Sequence, residues 1–178
     1  MKKQKIVITG GPGTGKSSII RQLEKHGHEC LHEISRQVTL EAQKQGIAQL
    51  FLEQPVLFSE KLLEGRKIQY READMIPTSI IFIDRGIPDV LAYMDYFKTA
   101  YSSYFTDACK EYSYDKVFFL PPWEEIYQSD NERYESFKEA SLISKHLFET
   151  YKTYGYTPIE VPKTSIIDRT QFILNQIE

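Results

Sequence analysis

The chain has 178 residues, 41% hydrophobic and 26% charged, with a formal net charge of −3. That composition suits one globular domain with a substantial core and argues against a strongly basic surface, so no nucleic-acid partner is expected. Two cysteines, Cys30 and Cys109, are too few for a disulfide framework, and no apolar run approaches the ~18 residues of a membrane span, so a cytoplasmic setting is expected.

The apolar run after the first five residues is too short for a signal peptide and reads as a strand, residues 5–9. It leads into Gly10, four spacers, then Gly15-Lys16-Ser17, a full match to the Walker A pattern. Between a buried strand and a helix start, a glycine-rich loop lets backbone N–H groups converge on phosphate, and the helix dipole adds to their pull. Gly11, Pro12, Gly13, Thr14, Gly15, Lys16, Ser17 and Ser18 are therefore the expected ATP-binding residues. Lys16 would act between the β- and γ-phosphates, and Ser17 would ligate Mg²⁺. The stretch is not a dinucleotide fingerprint, because after Gly11 and Gly13 the third glycine would fall at Lys16. A helix over 15–26 follows, with Ile19, Ile20 and Leu23 on one side and Gly27 as its stop.

Residues 29–31 form a short second strand. His28, Cys30 and His32 alternate around it, but three soft ligands without a fourth more often coincide than bind metal. Glu33 and Arg36 lead into a helix ending near Gly46. Three residues apart, they share a helix face and are candidates for binding an acceptor's hydroxyls, or equally an ion pair. Residues 50 to about 74 read as mostly helix, with Leu52, Val56, Leu62, Leu63 and Ile68 at roughly helical spacing and Pro55 near the first turn. After Pro77, residues 78–83 are apolar on both faces, as in a buried parallel strand. Asp84-Arg85-Gly86 ends it. An acid there is the Walker B arrangement, able to hold Mg²⁺ through water or to accept a proton, and Arg85 is a catalytic or substrate-orienting cation.

Helices are expected at 89–97 and 102–112. The tyrosines between Tyr93 and Tyr114 read as an amphipathic surface and a candidate interface. Residues 116–120 form another buried strand, stopped by Pro121-Pro122. The polar stretch 123–134 reads as a loop or lid, about 122–135 in all, whose Arg133 would close over the γ-phosphate. A helix over 135–154 carries Phe137, Ala140, Ile143 or Ser144, Leu147 and Tyr151 down one side. A last strand at 158–161 precedes a helix capped by Ser165 with Asp168.

Strands alternating with helices predict an α/β, three-layer P-loop NTPase fold: a five-stranded parallel sheet, helices on both faces, in one domain over 1–178. Right-handed crossovers place Gly10, Glu33, Asp84, Pro121 and Pro162 along one edge, where such sheets bind ligands. The chain has no N/T-K-x-D guanine motif and no D-x-x-G after the Asp84 strand, which disfavours a signalling GTPase. Little chain after Asp84 remains for the helical lid domain of a ring-forming motor.

Walker A, Glu33-x-x-Arg36, Asp84-Arg85-Gly86, Pro122-Trp123-Glu124 leading to Arg133, and Val161-Pro162 followed by Ser165 and Arg169 occur together. In this the chain resembles the P-loop AAA-type ATPase family related to the ribosylnicotinamide kinase domain of bacterial nicotinamide-nucleotide regulators, a group that also holds the animal TRP-channel translocation protein. The resemblance implies a nucleoside-kinase-like fold in which ATP phosphorylates a nucleoside hydroxyl. It further implies that Lys16 and Ser17 bind ATP·Mg²⁺, Asp84 is the catalytic acid, Arg133 the lid arginine, Glu33 and Arg36 lie on the acceptor side, and Pro162 and Lys163 flank the adenine. The reading is a small-molecule kinase whose partners are ATP and an acceptor; the alternative is a nucleotide-dependent switch acting on a protein or lipid.

Overall fold

The computed structural model describes residues 3–127 and 135–177. Five parallel strands form one sheet: β1 (Gln4–Gly10), β2 (Glu29–Leu31), β3 (Ile80–Asp84), β4 (Lys116–Leu120) and β5 (Ile159–Glu160), in the order β2-β3-β1-β4-β5. Among the described residues, eight α-helices connect and flank them: α1 (Lys16–Lys25), α2 (Ser35–Lys44), α3 (Leu50–Glu53), α4 (Pro55–Met75), α5 (Ile87–Tyr96), α6 (Ser103–Glu111), α7 (Phe137–Thr153) and α8 (Ile166–Asn175). The expected α/β architecture is therefore the observed one.

Strand alternation divides the core. Ile6, Ile8, Phe82 and Phe118 face Ile19, Ile20 and Leu23 of α1 and Ile173 of α8. On the opposite face Val7, Ile83 and Val117 meet Tyr114 and Tyr151, and Phe119 meets Ile143 and Leu147 of α7. The expected buried stripe of α7 is thus the one that packs, and Ser165 caps α8 by accepting from the Asp168 amide. A third cluster lies between helices, with Val38, Leu50, Leu63, Val90, Met94 and Phe105 at its centre.

The register sets the site. Ile8 pairs with both Asp84 and Phe118, and Leu31 pairs with Ile83. Gly10, Asp84 and the residues after Leu31 therefore leave the sheet at one edge.

Two expectations are corrected. The mostly helical stretch over 50–74 is divided at Gln54, whose φ of −141° and ψ of 69° are non-helical, because the ring of Pro55 disfavours the helical region for the residue before it. Pro55 itself starts α4, as its first-turn role requires. The apolar stripe also differs: Leu52, Val56 and Ile68 are exposed, whereas Arg66 and Gln69 are buried beside Leu62 and Leu63. The tyrosines from Tyr93 to Tyr114 likewise do not form one surface, since Tyr114 is buried and Tyr93 lines a cavity.

Candidate active site

The turn from β1 into α1 is built as a phosphate loop. Gly13 and Gly15 have φ of 72° and 86°, a region that costs a side-chain-bearing residue steric strain. A Cβ on Gly13 would also sit 2.4 Å from the Tyr127 ring. Thr14 Oγ1 donates to the Gly11 carbonyl at 2.9 Å, and Lys16 Nζ donates to the carbonyls of Gly10 and Gly11, each at 2.8 Å. Burial and the neighbouring Arg85 depress the Lys16 pKa to about 7. A phosphate oxygen would give this ammonium a charged acceptor, stronger than either carbonyl. Ser17 and Ser18 stand in the first turn of α1.

Asp84 ends β3 and is 5% exposed. Burial raises its pKa against the opposing pull of Lys16 and Arg85. Its Oδ1 is buried without a hydrogen-bond partner among the described residues. An unengaged carboxylate oxygen and the Ser17 hydroxyl make a hard oxygen donor set, which fits Mg²⁺.

Arg85 follows with φ of 72°, strained for a side-chain-bearing residue. Its guanidinium bridges two carboxylates: Nε lies 2.6 Å from Glu33 Oε2, and an Nη lies 3.0 Å from Asp89 Oδ1. The other face of the group lies over the Tyr93 ring, 5.4 Å from its centroid. Glu33 Oε1 also accepts from Arg66 at 3.1 Å and from the amides of Ile34 and Ser35 at 2.9 and 3.0 Å. Burial alone would raise its pKa, but the two guanidiniums and two amides bring it below the ordinary glutamate value.

Glu33 therefore partners Arg66 and Arg85, and it precedes α2 rather than lying on it beside Arg36. Arg36 lines the same cavity, whose volume is about 560 Å³. Glu33, Arg66, Arg85 and Asp89 line it together with Phe51, Phe58, Tyr93 and Phe97. This is the size and mixture of a small-molecule site. A larger depression of about 1040 Å³, against Tyr114, Lys116 and Tyr156, shares no residue with the phosphate loop or the Asp84 corner.

Pro162 and Lys163 are exposed between β5 and α8. From this end it is Arg169 that reaches the loop, donating to the Thr14 carbonyl at 3.0 Å, with its guanidinium 5.5 Å from the Trp123 ring centroid. Arg133 lies outside the described residues. His28 packs edge-on against Phe82, and His32 bonds Glu24 at 2.7 Å.

Sequence reasoning missed Arg66, Asp89 and the aromatic lining. Arg66 had one signal: it sits in a helix whose neighbours Leu62 and Leu63 point inward.

A family model described as an AAA domain matches residues 5–169. The chain belongs to this family. No curated protein matches it. Among solved structures, this AAA-domain chain is similar to deoxyadenosine kinase from M. mycoides with the products dCMP and a flexible dCDP bound, at 18% identity over 98% of both chains and a TM-score of 0.72. It is similar to thymidylate kinase from Candida albicans, at 17% identity over 99% of this chain and 91% of that one, TM-score 0.71. It also resembles the NadR protein in complex with NR, at 15% identity and a TM-score of 0.74, covering 98% of this chain and half of that one. The shared feature is the P-loop kinase fold.

Proposed function

We propose that this AAA-domain protein transfers the γ-phosphoryl group of ATP to a hydroxyl of a nucleoside-type small molecule. The observation that carries this reading is the cavity of about 560 Å³ that holds both aromatic rings and the Glu33–Arg85 pair, one residue from Asp84. Its rings suit a planar base and its polar groups suit sugar hydroxyls. A switch that acts on a protein or lipid has no need of such a pocket.

The amides of the phosphate loop and Lys16 would hold the triphosphate. Ser17, and Asp84 through water, would hold Mg²⁺, which neutralises charge on the β- and γ-phosphates when bound. Glu33 and Arg85 orient the acceptor. The acceptor oxygen bonds to the γ-phosphorus, the bond from that phosphorus to the β-γ bridging oxygen breaks, and ADP leaves. The hydroxyl proton passes to a carboxylate; Asp84, with its unengaged Oδ1 and raised pKa, is the acceptor this corner offers. Arg133 is proposed to close over the γ-phosphate, and Pro162 and Lys163 to flank the adenine.

The test is ADP release with ATP, Mg²⁺ and single nucleosides. At least one should raise the rate on the order of tenfold or more over the acceptor-free rate, with Asp84→Asn removing the stimulation. If no nucleoside stimulates ADP release, the reading is wrong.

A further inference from the structure

Asp89 is a fully engaged carboxylate of the corner, and the chemistry above leaves it unused. It is 1% exposed and accepts four hydrogen bonds. Thr9 Oγ1 donates to Oδ1 at 2.7 Å from the end of β1, immediately before the phosphate loop. Arg85 donates to the same oxygen at 3.0 Å. The Gly86 amide and the Tyr151 hydroxyl donate to Oδ2 at 3.0 and 2.6 Å. The Tyr151 hydroxyl also accepts from the Gly86 amide at 3.1 Å. Asp89 is thus bound to the end of β1, to the turn after β3 and to α7.

Gly86 makes room for this arrangement. Its φ of −105° is open to any residue, so its lack of a side chain is not a backbone requirement. A Cβ there would lie 2.5 Å from the Tyr151 hydroxyl oxygen. The glycine admits the phenol to the turn. The phenol and Asp89 then close on the backbone next to Arg85, the residue with a left-handed φ. A strained conformation persists only where its surroundings over-determine it. Here the clamp consists of the Arg85 amide bonded to the Ile8 carbonyl at 3.0 Å, the Gly86 amide shared by Asp89 and Tyr151, and the side-chain pair to Asp89.

We propose that Asp89 and Tyr151 are positioning residues for Arg85: they hold the Asp84-Arg85-Gly86 turn so that the Arg85 guanidinium meets Glu33 at the wall of the acceptor cavity. The role rests on the kinase reading for its catalytic consequence, but the clamp itself does not. Because Tyr151 belongs to α7, the helix that begins two residues after Glu135 of the cavity lining, the clamp also ties that helix to the acceptor corner.

The experiment is a double-mutant cycle on Tyr151→Phe and Gly86→Ala with two readouts. The first is amide exchange at Gly86 and the Nε–H signal of Arg85 by NMR, in the full chain without substrate. Tyr151→Phe should speed Gly86 exchange by roughly tenfold or more and shift the Arg85 Nε–H signal, while the amides of β1 stay protected. The second is steady-state kinetics with the stimulating nucleoside: acceptor KM should rise on the order of tenfold while the KM for ATP stays within about twofold. Gly86→Ala should do the same by displacing the phenol. The effects in the double variant should be less than multiplicative, because removing the hydroxyl removes the nearest atom the new methyl meets, while Tyr114 Cε2 at 3.0 Å and Val7 Cγ2 at 3.2 Å stay close to it.

Unchanged Gly86 exchange and Arg85 signal in Tyr151→Phe overturn the clamp, whatever the substrate. Multiplicative effects in the double variant overturn it as well. So does an equal rise in both KM values, which marks general loosening. If no nucleoside stimulates turnover but the NMR changes occur, the kinase reading fails and the clamp stands.

Discussion

On the proposed donor side of the site, consecutive residues 11–18 supply the loop, the lysine and the serine, and the chemistry proposed for them is largely that of the backbone. On the proposed acceptor side, Glu33, Arg66 and the pair Arg85 and Asp89 arrive from three separate parts of the chain, and their side chains hold one another in place. A loop made from glycines can be spelled in one stretch because local φ and ψ define it. A buried charge cluster cannot, because each charge depends on opposite charges brought by tertiary packing. The donor side should therefore fail through chemistry with the fold intact. The acceptor side should fail through chemistry and stability together.

Lys16→Ala is expected to have the largest effect. Turnover should fall by about 10²- to 10³-fold, as when one preorganised charge donor is lost, and the midpoint of thermal unfolding should not fall. Lys16 donates to carbonyls and to no carboxylate, and the buried Asp84 that it pulls on keeps Arg85 as a second cation. A clear drop in unfolding temperature would erase the contrast between the two sides.

Glu33→Gln should destabilise by about 3 kcal/mol, since Arg66 loses its carboxylate and Arg85 one of its two, and should raise acceptor KM as well. The pH dependence follows from its depressed pKa. In the unfolded chain Glu33 binds a proton more readily than in the folded one, so its contribution is present above the ordinary value of 4.5 and is lost as pH falls through the lower folded value. The gap in urea-unfolding free energy between wild type and Glu33→Gln should be constant from neutral pH down to that region and narrow below it. A gap independent of pH would show that Glu33 is not held ionised by Arg66 and Arg85.

Phe58→Ala removes one wall of the cavity and touches nothing on the phosphate loop. Acceptor KM should rise by about tenfold, with KM for ATP unchanged. Equal changes in both would mean that the cavity is not the acceptor site. Ser165→Ala sets the lower limit. It removes the cap of α8 and should cost about 1 kcal/mol without moving either KM.

Hydrophobic alternation and the Walker A spacing made β1, its loop and α1 legible, and the apolar run before Asp84 made β3 legible, because those features are local. The pairing of Glu33 was not. Helical spacing joined it to Arg36, but the chain turns before α2 and aims it at Arg66 and Arg85. Arg66 was hidden because an arginine within a helix reads as outward-facing, whereas α4 buries a polar stripe, Ser59, Arg66 and Gln69, of which Ser59 and Arg66 line the site. Asp89 looked like an ordinary first-turn helix acid. It does cap α5, and the same carboxylate also engages Thr9, Arg85 and Tyr151.

The most direct measurement is ³¹P NMR of the reaction of ATP·Mg²⁺ with the stimulating nucleoside. If the two sides form one phosphotransfer site, a nucleoside monophosphate resonance grows in step with ADP, with little inorganic phosphate. ADP and inorganic phosphate appearing together, at a rate the nucleoside does not change, would contradict it.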